Sequence, residues 1–474
     1  MAQPADSAFT LGTVSEAIFR QYFPTFLRQV FFSSAQRTNR LIAPENEPVT
    51  GDGKYYKFKT ASGDYTRVNT SMLADVEQGR SWSAKELKLR FDALNAASND
   101  FTRLAYSIRV SDLEVRGLSS GGSRSIVDVV TEALENASDD YMFKLACMRH
   151  LDRTGSLCAI SGTKKLNDAF TMTDASAYSN GSTSFRAFIT SGSPARIQVG
   201  YEYDIYDTSG NLVLNNVVAT DPSNVGDTTD GTSTGQASVA FALTSRSLQA
   251  NCDSVASTNL IYFTGTRNSC PYSLGSWLTY PSTSDSFIGG VNRTSSGNRY
   301  LLPHFVGRGQ TTRTIDRSIF DTMADQHTNR ADDGNLAAVA IMEPRLHTTL
   351  RRAIGEEALK LLPADDETSR RDGTFGLTGL KYIHPAFPTG VVLYGDPIAT
   401  QGVVRVIRPQ DWRMACYGSS EPYFPPGEQG KFYRVSSSTP GAGKSLFWQA
   451  DGYMMFADFC QFPGRQIVID ALQP

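Results

Sequence analysis

Long hydrophobic runs are missing from this chain: no stretch of 18 or more consecutive apolar residues occurs, so no helix is expected to span a membrane. The first ten residues carry no basic cluster and include Asp6, which excludes a secretory signal of the usual pattern. Charge of one sign is also missing, since 45 Lys+Arg stand against 48 Asp+Glu for a net charge of −3. A protein whose whole surface grips phosphate backbones is thereby excluded, although a local basic face is not. Histidine is scarce and dispersed (His150, His304, His327, His347, His384), with no His-Glu-x-x-His pair. The six cysteines (Cys147, Cys158, Cys252, Cys270, Cys416, Cys460) form no Cys-x-x-Cys motif and have no histidine at ligand spacing. A 474-residue chain does not need disulfide staples, so buried free thiols are expected. A soluble protein is the expectation.

Motifs that carry catalysis are equally thin. Gly441-Ala442-Gly443-Lys444-Ser445 resembles the end of a phosphate-binding loop, but the glycine required five positions before Gly443 is Ser438. The helix whose N-terminus would hold phosphate is replaced by Leu446-Phe447-Trp448, which favours a strand. Asp221 to Gly231 is acidic and turn-rich without the spacing of a calcium loop. No Gly-x-Ser-x-Gly elbow occurs. The expectation is no enzyme, no catalytic residue, no cofactor and no metal.

Aromatics are plentiful instead, with 26 Phe and 20 Tyr, enough for a large core. Residues 1–50 read as an N-terminal arm: Phe19, Tyr22, Phe23 and Phe26 fall on one face at helical spacing, and Pro24 splits the segment into two short helices. That face suits either an ordinary core helix or an arm docked on another subunit. Residues 51–95 read as an extended hairpin. Lys54, Lys57 and Lys59 line one strand, Lys88 and Arg90 line the other, and about 27 polar residues lie between. Such a hairpin is poorly stable alone and is expected to lie on a neighbour.

Residues 123–151 show the clearest helix, with Ile126, Val130, Leu134, Ala137, Tyr141, Leu145 and Met148 at three- and four-residue spacing. Arg149 and His150 at its end complement the helix dipole. From 176 to 300 the composition turns to Ser, Thr, Gly and Asn, inside a stretch without lysine between Lys165 and Lys360. A hairpin around Ser209-Gly210-Asn211 and strands at 238–243 and 260–264 predict a β-rich inserted module, sandwich or barrel. Residues 301–435 read as α/β: a helix near Ile315 to Met323, a buried strand Leu336 to Met342, and a helix opened by Pro344 and running through about Lys360. The tail from 436 to 474 is β again.

The order of these segments resembles the major capsid proteins of tailed bacteriophages, the fold named after phage Hong Kong ninety-seven. The stretch Ala338-Val339-Ala340-Ile341-Met342-Glu343-Pro344, continued by Pro388-Thr389-Gly390 and Gly395-Asp396-Pro397, is similar to the axial domain of that family. Ala105 to Asp112 looks like its strand entering the peripheral domain. The resemblance implies an α+β capsid fold. Its divisions are an arm (1–50), an extended loop (51–95), a peripheral domain with a spine helix (96–155) and the start of the axial domain (156–175). An all-β insertion (176–300), the axial domain (301–435) and a C-terminal return to the peripheral domain (436–474) complete it.

As implied function, the chain assembles with itself into hexamers and pentamers of an icosahedral shell around double-stranded DNA, which it contacts non-specifically. Implied partners are a separate scaffolding protein, a portal and cement or decoration proteins, with no membrane partner. The implied location is the virion, after assembly in the host cytoplasm. The subunit-interface residues would be Phe19, Tyr22, Phe23, Phe26, Lys54, Lys57, Lys59, Lys88 and Arg90. Two other readings stay open. One is a carbohydrate-binding surface protein or hydrolase whose β module, with Trp277 near its end, holds sugar. The other is an encapsulin-like compartment shell of the same fold. The insertion carries six Arg against eight Asp+Glu, so it is expected on the outer face rather than against DNA.

Overall fold

In the computed structural model, the described residues are 41–42, 49–51, 53–59, 84–90, 100–111, 123–166, 182–225, 237–281, 287–288, 290–295, 298, 301–309, 311–328, 338–354, 359–361, 380–384, 387–418, 433–434 and 447–473. The arm residues Phe19, Tyr22, Phe23 and Phe26 lie outside them, as do the tip of the predicted hairpin and the Lys444 motif.

Strands β1 (Gly53–Lys59) and β2 (Ala84–Arg90) pair antiparallel, with Gly53 opposite Arg90 and Lys59 opposite Ala84. Next come β3 (Thr102–Ser111) and helix α1 (Ser123–His150), 28 residues and about 42 Å long at 1.5 Å per residue. Midway along α1, Asn136 and Asp139 lie in solvent. From Tyr141 to His150 every residue but Lys144 is buried, so the helix becomes a core element enclosed on all sides.

The chain then closes a six-stranded barrel. Its strands are β4 (Cys158–Leu166), β5 (Ser184–Gly192), β6 (Glu202–Tyr206), β7 (Leu212–Val225), β8 (Ala237–Leu243) and β9 (Leu260–Phe263). The order is β4-β5-β8-β7-β6-β9, and Cys158 opposite Ile261 closes the ring. Alternation along the strands sends aromatics inward: Phe185 stacks on Phe241 at 5.3 Å and Tyr203 on Phe263 at 5.8 Å. The Tyr203 hydroxyl, which the dry interior would leave unpaired, meets both the N–H and the carbonyl of Gln198. The described barrel interior is therefore filled with packed aromatic side chains. Its entrance and exit are joined, since the Asn268 N–H donates to the Thr154 carbonyl at 2.9 Å.

These bounds differ from the expected 176–300. Strand β4 belongs to the barrel although it precedes the change of composition. Its bulges at Ile160 and Gly162 interrupt the alternation that would have revealed it. After β9 the Ser/Thr-rich composition persists, but the residues leave the barrel. Helix α2 (Leu274–Leu278) packs under α1, and β10 (Phe287–Ile288) pairs with β11 (Val291–Asn292).

The remaining elements build two larger sheets and one short parallel pair. They are β12 (His304–Val306), β13 (Arg313–Thr314), α3 (Arg317–Thr328), β14 (Ala338–Met342), α4 (Pro344–Ile354), β15 (Leu359–Leu361), β16 (Leu380–His384), β17 (Phe387–Gly395) and β18 (Val404–Ile407). After them come β19 (Trp412–Tyr417), β20 (Tyr433–Arg434), β21 (Phe447–Cys460), β22 (Ile467–Ile469) and β23 (Leu472–Gln473). The large sheet has seven strands in the order β12-β22-β18-β14-β17-β16-β15; the small one joins β19, β21, β20 and β3. Short β13 pairs in parallel with β23.

Strand β14 sits at the centre of the large sheet and shows how period two divides the core. Val339 and Ile341 face the packing that includes α1 and the barrel. Ala338, Ala340 and Met342 face a second cluster with Phe320 and Met323 of α3 and Leu346 and Leu350 of α4. One expectation is corrected here, the extent of the helix opened by Pro344. Helix α4 ends within the described residues at Ile354, and Lys360 lies in a strand opposite Lys381. Residues 412–417, expected in the axial part, pair with β21 in the small sheet. The last residues do not stay with β21, because β22 crosses into the large sheet between β12 and β18. None of these pairings has a local sequence signature, because the partners are far apart in the chain.

Candidate functional site

Of the nine predicted interface residues, five fall in β1 and β2. Lys54 and Lys88 stand in adjacent register positions, Lys54 opposite Leu89 and Lys88 opposite Tyr55. The Lys88 ammonium lies 5.0 Å from the centre of the Tyr55 ring, which is 58 % exposed. Lys57 is opposite Glu86, Lys59 opposite Ala84, and Arg90 opposite Gly53. Among the described residues the pair forms a two-stranded sheet joined to no third strand, with Leu89 of β2 buried in the main core. At its base Val49 bridges to Tyr417 of the small sheet.

The densest buried polar chemistry lies elsewhere, where α1, the barrel and both sheets meet. Arg149 and His150 end α1, and both are almost wholly buried. The Arg149 guanidinium pairs with Asp458 of β21 at 3.3 Å and also donates to the Ile42 carbonyl and the Met414 sulfur. Burial pushes the Asp458 carboxyl up, and the Arg149 charge only partly offsets this. The Asp458 backbone is fixed as well: its N–H donates to the Tyr272 carbonyl at 2.7 Å, and its carbonyl accepts the Trp277 indole N–H at 2.9 Å.

His150 faces the loop after β17. Its Nε2 lies 3.4 Å from Asp396 Oδ2, and its Nδ1 lies 3.2 Å from Nη1 of Arg405 on β18. From the barrel side a short turn, Pro194–Arg196, reaches the same loop. Arg196 donates to the Ile398 carbonyl at 2.9 Å, to Thr400 Oγ1 at 3.0 Å and to the Leu157 carbonyl at 3.0 Å. The Ser193 hydroxyl donates to the Pro397 carbonyl. Tyr201 adds a second seam on α1, with its ring edge-on to Phe143 at 5.9 Å and the Lys144 ammonium 5.1 Å above it. Gln466 ties the sheets together. Its amide donates to Asp411 and the Phe462 carbonyl, while its oxygen accepts from the Arg408 N–H and the Trp412 indole.

Sequence reasoning placed Arg149 and His150 only as dipole partners and missed this junction. The available signal was the pair of basic residues set inside the apolar run Leu145 to Leu151. Trp277, read as a possible sugar platform, is fully buried in α2, so that role is corrected. Among the described residues no group of three His, Cys, Asp or Glu side chains could hold a metal ion. The six cysteines are free and buried. Burial pushes the thiols of Cys147, Cys158, Cys270 and Cys460 up, away from the reactive thiolate. A thiol reagent at pH 8 should therefore label none of the six in the folded protein and all of them in guanidinium. Rapid labelling of any one without denaturant would contradict this.

No protein-family model matches the chain, and no curated relative matches it. Solved structures similar over most of its length include the capsid asymmetric unit of cyanophage A-1(L), at 9% identity over 93% of this chain and 93% of that one, with a TM-score of 0.46. The capsid of Ralstonia phage GP4 follows at 10% identity, 94% and 92% coverage and a TM-score of 0.37. The procapsid of satellite phage P4 stands at 8% identity, 95% and 99% coverage and a TM-score of 0.34. These similar structures are phage capsids and procapsids, and at such values no residue role passes from them to this chain.

Proposed function

We propose that the chain is the major capsid protein of a tailed phage, a structural shell subunit of the Hong Kong ninety-seven type and not an enzyme. The observation that carries this reading is the β1–β2 pair, which among the described residues forms a sheet of its own beside a body made of α1, two sheets and a closed barrel. A lone two-stranded sheet is marginal in water, so a neighbouring copy is the natural support for it. In this reading hexamers and pentamers enclose double-stranded DNA, with scaffolding, portal and decoration proteins as partners. Assembly takes place in the host cytoplasm, and the mature location is the virion. The arm residues Phe19, Tyr22, Phe23 and Phe26 and the hairpin residues Lys54, Lys57, Lys59, Lys88 and Arg90 form subunit contacts. The barrel, whose entrance and exit meet at Thr154 and Asn268, is an outward-facing insertion.

Electron microscopy of the purified chain tests the proposal. Shells, tubes or hexamers are expected, and uniformly small, discrete particles at high concentration would overturn it. The Lys57→Glu, Lys59→Glu double variant should assemble less well at low salt than at high salt. Screening shortens the reach of charge from about 30 Å at 0.01 M to about 3 Å at 1 M. A defect indifferent to salt would remove the electrostatic part of the reading.

A further inference from the structure

We propose that His150 is a proton-operated latch: as a neutral imidazole it closes the joint between the barrel and the large sheet, and uptake of one proton opens it. The argument starts from donors and acceptors. Arginine has N–H donors and no acceptor, so the Arg405 Nη1 that lies 3.2 Å from His150 Nδ1 must donate, and Nδ1 must carry a lone pair. The ring proton is then on Nε2, which points at Asp396 Oδ2 at 3.4 Å. One tautomer satisfies both neighbours. The imidazolium satisfies only Asp396, because its Nδ1–H would face a guanidinium N–H.

The surroundings reinforce this. The charged groups acting on His150 are Asp396 from the loop after β17, Arg405 from β18 and Arg196 from the barrel turn, two cations to one anion. Asp152 and Asp470 act on Arg405, and Asp396 with Asp152 acts on Arg196. Glu343 closes the far side of the loop, accepting the Gly402 N–H at 3.2 Å. Burial first, then the two arginines, hold the His150 ring below the ordinary histidine range, against the pull of Asp396.

The latch acts on the barrel because Asp396 organises the segment that Arg196 and Ser193 grip. Its Oδ1 accepts the Ile398 N–H at 3.0 Å, and its backbone carbonyl accepts the Ala399 N–H at 3.0 Å. The same few residues, 396–400, thus receive α1 through His150 and the barrel through Arg196. Breaking the His150 contacts loosens the seat of the barrel without touching the barrel core.

The sign follows from linkage. The folded value lies below 6.5, so the opened state binds a proton that the closed state refuses. The closed state is fully favoured above about 6.5, and opening rises up to tenfold per pH unit below it. Glu343 and Asp470 respond in the opposite sense. Burial raises both carboxyls, so they take up protons more readily in the closed state and acid favours closure there.

Amide hydrogen exchange on the full chain, corrected for the intrinsic pH dependence of exchange, reads the joint in peptides covering 193–200 and 396–402. In the wild-type chain, opening should increase several-fold to tenfold between pH 6.5 and 5.5. In the His150→Asn variant, which keeps an acceptor near the Nδ1 position and cannot take up a proton, opening should stay flat or decrease. Equal pH slopes in the two proteins would overturn the latch, as would a wild-type joint indifferent to pH. Nitrogen NMR of histidine-labelled wild-type chain gives a second reading that needs no variant. One of the five imidazoles should be the Nε2–H tautomer at pH 7 and titrate below 6.5. If all titrate at or above that value, the proposal fails.

Discussion

Replacing Asp458 by alanine should lower the unfolding free energy of the subunit by about 3–5 kcal/mol, the usual cost of removing one partner of a buried pair. The side chains of Arg149 and Asp458 are 1% and 0% exposed, so bulk solvent does not reach the guanidinium to replace the lost carboxylate. The guanidinium would keep only the Ile42 carbonyl and the Met414 sulfur among the contacts described for it. Replacing both partners by residues of similar volume, Arg149→Met with Asp458→Leu, should recover most of the loss. The desolvation cost of both charges then disappears along with their attraction. Denaturant titration of the single and double variants measures the difference. A single variant within about 1 kcal/mol of the wild type would show that the pair contributes little beyond packing.

Acid separates this pair from its neighbour in sequence. The Asp458 carboxyl is raised above its ordinary 3.8, so the folded state takes up that proton more readily than the unfolded chain. Taken alone, Asp458 therefore favours the folded state as pH falls toward 3.8. His150 is lowered from 6.5, so it disfavours the closed state as pH falls below that value. His150 on α1 and Asp458, the β21 partner of its neighbour Arg149, thus respond oppositely to acid.

Much of the architecture was legible because it rests on contrasts between water and core. The helical spacing from Ile126 to Met148 foretold α1, observed from Ser123 to His150. The apolar run ending at Met342, followed by Pro344, foretold a buried strand and then a helix. The strands predicted around Lys54 to Lys59 and Leu87 to Asp92 pair with each other, and those near 203, 240 and 261 are barrel strands. What was not legible lacks that contrast. At the end of α1 every face is buried, so periodicity no longer separates the Arg149 and His150 sides from Leu145. Charged residues read as solvated by default, and only the partners Asp458 and Asp396, more than 240 positions away, make them core residues. Likewise Thr102 opposite Phe456, and Val468 between Phe305 and Arg405, are pairings of distant segments that no local pattern announces.

The largest effect expected from the smallest change is at Gly275 in α2. Helix propensity alone would make alanine there favourable by about 1 kcal/mol. Packing forbids it. A Cβ on Gly275 would stand 2.1 Å from the Leu151 carbonyl oxygen and 2.6 Å from that of His150, backbone atoms at and just past the end of α1. Neither can rotate away, so α2 would have to retreat by roughly 1 Å or more to restore ordinary contact. Three attachments resist that retreat. The Ser273 hydroxyl donates to the Leu151 carbonyl at 2.6 Å, the Trp277 indole donates to the Asp458 carbonyl, and Arg293 donates to the carbonyls of Ser276 and Trp277 at 3.0 Å. Overpacking of this kind costs about 1–3 kcal/mol, and the rigid neighbours place Gly275→Ala at or above the upper end. Gly200→Ala is the matched control. Its φ of +87° penalises a side chain, yet a Cβ there meets nothing within 4 Å, so about 1–2 kcal/mol of backbone strain is all it should cost. In denaturant titration Gly275→Ala should be the less stable of the two, with faster amide exchange at 148–153 and 273–279. A Gly275→Ala protein as stable as the wild type would mean that α2 does not approach the end of α1 this closely.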